Sequence, residues 1–130
     1  MRDTALFVGW GRTHPGREHF ARRHFAEWVE ILTQLKAEGE IESFETVLLA
    51  PHGGELDGFT LVYATPEKLL TLPMREDLHR LQVRASLDHA TFIVIPATAG
   101  EGVEREFELV HEAVEEYGTL PTPLPEPALV

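Results

Sequence analysis

Cysteine is missing from all 130 residues, which removes disulfides, thiolate metal sites and thiol nucleophiles together. Serine is nearly missing as well. Ser43 and Ser86 are the only two, and neither sits in a Gly-x-Ser-x-Gly elbow, so serine hydrolase chemistry is set aside. No apolar run approaches the roughly 18 residues of a membrane span, and no membrane partner is expected. Positive charge is scarce, with 11 Lys+Arg against 22 Asp+Glu and a net charge of −11. Such a chain repels phosphate backbones, so no nucleic acid partner is expected either. Gly9-Trp10-Gly11 lacks the third glycine of a dinucleotide fingerprint, and no lysine-bearing phosphate loop occurs. His111-Glu112 is not followed by a second histidine at the zincin spacing. The expectation is therefore no metal and no cofactor. Met1-Arg2-Asp3-Thr4 shows no signal-peptide pattern, and a cytoplasmic location is expected.

What is present suits one domain: 43% of residues are apolar, enough for a real core. The negative charge is uneven. Residues 1–100 hold 14 acids and 10 bases, whereas 101–130 hold 8 acids and one base.

Residues 4–10 are short, apolar and aromatic-rich, and predict a buried first strand. A turn-rich loop from Gly11 to Gly16 follows. Ala21, Phe25, Trp28, Leu32 and Leu35 then recur at steps of four and three, which places them on one face of a helix over about 16–38. Ser43–Ala50 and Phe59–Ala64 have strand composition, and the turn formers between them make a hairpin. Thr65-Pro66 reads as an N-cap with proline at the first helical position. Pro73 is expected to break that second helical region, and Met74, Leu78, Leu81 and Ala85 resume a helical stripe after it. Thr91–Ile95 predicts a fourth strand. Val103, Phe107, Val110, Val114 and Tyr117 carry the last stripe, on a helix over about 101–117 whose other faces hold seven glutamates. Four prolines between 121 and 127 predict an extended tail over 119–130.

Strand, helix, strand, strand, helix, strand is the split β-α-β order. The predicted class is α+β: a ferredoxin-like β-α-β-β-α-β domain over residues 1–118, with an antiparallel four-stranded sheet, the C-terminal helix and the Pro-rich tail. Both helices of that motif lie on one sheet face. The first and fourth strands are nonetheless apolar on both sides, so the second face needs a cover. Either the last helix or a second copy of the chain supplies it. A homodimer is the expectation, reinforced by that helix and the tail.

The layout resembles the dimeric α+β barrel superfamily, which includes antibiotic-biosynthesis-type monooxygenases, muconolactone-isomerase-like enzymes and YCII-related proteins. The resemblance to the last is carried by residues 19–64. There a histidine-bearing helix ending Leu35-Lys36-Ala37-Glu38-Gly39 precedes a hairpin with Asp57-Gly58-Phe59-Thr60-Leu61-Val62. The Asp-Pro step of that pattern is replaced by Met74-Arg75-Glu76-Asp77. The resemblance implies a small-molecule cavity between sheet and helices. Trp10, Phe25, Trp28 and Tyr63 would line it, with His24, His14 and Arg12 as its polar, acid–base groups.

Seven histidines are many for this length. In this topology His14, His52 and His89 occupy three loops at one end of the sheet, with Asp57 and Asp88 near by. They are candidates for a shared site or plain loop residues. His24, in mid-helix between Phe20 and Trp28, borders the apolar face. Two functions stay open: a small-molecule-binding dimer, with cofactor-independent monooxygenase or isomerase chemistry as its catalytic form, and a non-catalytic accessory module acting through protein contacts.

Overall fold

The computed structural model describes residues 3–118. The chain runs β1 (Thr4–Gly11), α1 (Glu18–Ala37), β2 (Ser43–Leu48), β3 (Leu56–Tyr63), α2 (Pro66–Thr71), a 3-10 turn (Leu72–Met74), α3 (Glu76–Asp88), β4 (Phe92–Thr98) and α4 (Glu101–Tyr117). The strands order β2-β3-β1-β4, and every pairing is antiparallel. This is the ferredoxin-like arrangement expected from the sequence. The expected tail at 119–130 lies outside the described residues.

The chain's local chemistry explains the breaks. Thr65 caps α2, its hydroxyl accepting from the Lys68 N–H, and Pro66 occupies the first turn where no N–H is needed. Pro73 sits in the middle of the 3-10 turn Leu72–Met74 that separates α2 from α3. β4 runs past Pro96, further than Thr91–Ile95. It does so because β4 is an edge strand, where a missing N–H can face water.

Alternation along the strands sorts two faces. Leu6, Val8, Val62 and Phe44 turn towards the helices and pack with Trp28, Leu32 and Leu35 of α1, Leu69 and Leu72, and Leu78 and Leu81 of α3. Met74, expected on that stripe, is instead 75% exposed, because the 3-10 turn takes it off the α3 register. The opposite face carries Phe7 stacked on Phe59, with ring centroids 5.2 Å apart, beside Leu61, Ile93 and Ile95. Among the described residues its cover is uneven: Ala5 and Tyr63 are buried, whereas Ile93 and Ile95 stay exposed, Ile95 at 52%. α4 has no buried residue, and its stripe from Val103 to Tyr117 stays exposed. Among the described residues, α4 leaves Ile93 and Ile95 of this face exposed.

Candidate functional site

The loop after β1 is zipped to the end of α3. His14 N–H donates to the Asp88 carbonyl (2.8 Å), Ala90 N–H to that of Arg12 (2.8 Å), and Gly11 N–H to that of Thr91 (2.8 Å). A β-bridge joins Thr13 to His89. Gly11 permits this close approach, since a Cβ there would stand 2.9 Å from the Thr91 Cβ, and 2.4 Å from the Glu55 carbonyl oxygen of the β2–β3 loop. The ladder carries Asp88, the last residue of α3, against the start of α1.

Asp88 is fully buried, which for a carboxylate demands partners. It has two. Arg17, just ahead of α1, donates to Oδ1 from Nε (3.1 Å) and Nη2 (2.8 Å), and the other oxygen meets Nδ1 of His24. The Arg17 guanidinium also lies over the Phe20 ring, 4.4 Å from its centroid, which restrains it further. Burial pushes the Asp88 carboxyl up. The hydrogen bonds from His24 and Arg17 and their charges outweigh it, leaving the group below the ordinary carboxylate value.

An ionised carboxylate only accepts, so the proton between Asp88 and His24 belongs on Nδ1. In the neutral ring Nε2 is then a free lone pair. His89 is held in the same way: its Nδ1–H donates to the Gly11 carbonyl (3.0 Å). Both imidazoles line one cavity of about 380 Å³, a size suited to a small ligand. Its wall is mainly apolar. Val8, Trp10, Phe25, Trp28, Leu81 and Phe92 supply most of it, and Glu18, Arg22 and Gln82 add polar groups. Trp10 and Phe25 meet at 5.7 Å, tilted by 58°. Trp10 has room because its cross-strand neighbour is Gly58, where a Cβ would stand 2.9 Å from the indole Cζ2.

Among the site residues expected from sequence, Trp10, His24, Phe25, Trp28 and His89 come together around this cavity. His14, His52, Arg12 and Tyr63 do not line it. His14 is exposed and contributes its backbone, while His52 bonds the Ala50 carbonyl within its own hairpin loop (2.9 Å). Arg12 is exposed. Tyr63 follows Val62 by one residue and so stands on the sheet face away from the helices. No group of three potential metal ligands occurs among the described residues.

Sequence reasoning missed the roles of Asp88 and Arg17. The signal for Asp88 was present: Leu78, Leu81, Ala85 and Asp88 continue one helical stripe at steps of three, four and three. A lone acid on a core-facing stripe announces a buried partner.

No family model matches the chain, and a search of curated proteins finds no match. Solved structures do match, through the fold. A hydroxynitrile lyase from Passiflora edulis aligns with a TM-score of 0.60 at 8% identity, over 78% of this chain and 97% of that one. A dimeric ferredoxin-like protein of unknown function from Bacteroides fragilis aligns at 0.56 and 8% identity, over 76% and 98%. A putative antibiotic biosynthesis monooxygenase from Chloroflexus aurantiacus aligns at 0.51 and 13% identity, over 76% and 95%. These neighbours share the ferredoxin-like architecture. At such identities the likeness carries the fold alone.

Proposed function

We propose that this chain binds an apolar small molecule in the cavity beside α1 and moves a proton on it through His24. One observation carries the reading: a fully buried carboxylate holds Nδ1 of a histidine whose ring lines an otherwise apolar cavity. A carboxylate orienting an imidazole in this way selects its tautomer and supports the positive charge the ring gains when Nε2 takes a proton. Arg17 balances Asp88 throughout, so the pair is near neutral before the transfer. His89, with its own Nε2 unengaged by the described residues, offers a second proton site in the same space. The chemistry this supports is abstraction or return of a weakly acidic C–H or O–H proton, as an isomerase or a cofactor-independent oxygenase would require.

Deuterium incorporation tests this without a known substrate. Carbonyl compounds with an acidic α-hydrogen, incubated with the protein in D2O, should exchange that hydrogen, followed by proton NMR. His24→Gln is expected to slow the exchange at least about 100-fold. Equal rates in the variant and the wild type would remove His24 from the role.

The partly uncovered sheet face and the bare stripe of α4 favour, in addition, self-association into a homodimer. Both surfaces are apolar, and the described residues of one chain leave Ile93, Ile95 and the α4 stripe in water. The same surfaces motivate the second reading, a non-catalytic module working through protein contacts. Sedimentation equilibrium separates them. A dimer that Ile95→Glu weakens at least about tenfold supports self-association through this face, whereas a monomeric wild type points to another partner.

A further inference from the structure

Most of the described arginines of this acidic chain are paired. Arg17 pairs with Asp88, Arg23 and Arg84 with Glu27, Arg75 with Asp77, Arg80 with Glu76, and Arg105 with Glu108. Among the described residues, Arg12 and Arg22 alone of the arginines have neither a side-chain hydrogen bond nor an ion pair. Acids outnumber bases two to one, so an arginine without a partner is unexpected on statistics alone. Arg22 is also part of the cavity wall, and Arg12 is not.

Helical geometry places it. At about 100° per residue, Arg22 and His24 leave α1 about 160° apart, with Ala21 and Phe25 in the sector between them. All four line the cavity. A molecule lying across Ala21 and Phe25 therefore has the imidazole at one end and a guanidinium at the other. Glu18, one turn earlier on the Arg22 flank, is the nearest acid in the wall, and no ion pair joins the two. Asp88, the other acid of the wall, is already neutralised by Arg17.

Resting on the proton-transfer reading above, we propose that the ligand of this cavity is an amphipathic organic anion. Its apolar, ring-sized body lies on Trp10, Phe25 and Phe92, its carboxylate- or sulfonate-type group meets Arg22, and the proton to be moved faces His24 at the far end. Arg22 is then a specificity-determining residue rather than part of the proton relay. It selects charged ligands over neutral molecules of the same shape.

A matched pair of fluorescent probes tests this on the full chain. 1-Anilinonaphthalene-8-sulfonate and N-phenyl-1-naphthylamine share one aromatic body and differ in the sulfonate. Arg22→Gln is expected to weaken the sulfonate probe about tenfold, while the neutral probe changes less than about twofold. Ala21→Trp, which fills the cavity floor, should remove both. The proposal falls if Arg22→Gln weakens neither probe or both equally, or if the sulfonate probe still binds after Ala21→Trp. If the neutral probe is lost with Ala21→Trp but charge has no effect, the anion assignment fails and the cavity reading stands. If neither probe responds to Ala21→Trp, both fail.

Discussion

Asp88→Asn is expected to lower the stability of the folded chain by about 2–3 kcal/mol near neutral pH. Removing one member of a buried ion pair strands its partners, a change that costs about 3–5 kcal/mol when both stay buried. Here Arg17 retains 35% side-chain exposure and can turn to water, which trims the loss. His24 has less freedom, at 14%. The loss should depend on pH in a definite direction. Because the folded carboxyl titrates below the unfolded value of 3.8, its contribution is complete above that value. As the pH falls below it, the unfolded chain takes up the proton first, and the stabilisation drains away through the folded group's lower range. Wild type and Asp88→Asn should therefore converge in acid and separate above about pH 4. Urea unfolding across that range measures it. A gap that stays constant with pH would show that Asp88 is not held as the ionised partner of Arg17 and His24.

Trp28→Ala should have the largest effect on stability of any change at the site, about 3–5 kcal/mol. Its indole is buried and belongs both to the core beneath the helices and to the cavity wall, so truncation merges the two into one larger void. For a domain of this size the melting temperature should fall by about 10–20 °C. Trp28→Phe provides the contrast. The buried Nε1 of Trp28 has no hydrogen-bond partner among the described residues, so phenylalanine forfeits volume but no bond. Its loss is expected near about 1 kcal/mol. Similar losses for Phe and Ala would mean that the indole N–H, not the ring's bulk, is what the site uses. Thermal unfolding of both variants, followed by circular dichroism, decides between the two outcomes.

The elements with strong periodicity were legible from residues alone. α1 and α4 were read within a residue or two, and the break at Pro73 fell where proline chemistry requires it. Strand ends were less legible. β3 starts at Leu56 and β4 reaches Thr98, because antiparallel pairing with β1 extends both beyond their most apolar stretch. Cross-strand hydrogen bonds, not local composition, set those limits.

The site divided in the same manner. Phe25, Trp28 and His24 lie on α1 at helical spacing, and the superfamily resemblance implied the cavity that brings them to Trp10 of β1. Tyr63 lacked such a guide, and the one-residue parity of β3 put it on the far side of the sheet. Loops that share an end of the fold did not make His14, His52 and His89 one cluster. His89 reaches the cavity because a β-bridge ties it to Thr13, while His52 stays in a hairpin loop that bonds to itself.

What the sequence determined by itself was negative and architectural. No cysteine and almost no serine closed off whole classes of chemistry, excess acid argued against phosphate partners, and period and turn chemistry built a ferredoxin-like sheet with an extra helix. Tertiary structure alone decided the joining of Asp88 to Arg17 and His24, which lie 71 and 64 residues away along the chain. No local preference encodes such a contact. A buried carboxylate seeks whatever donors folding brings within reach, and that depends on how α3 docks against α1.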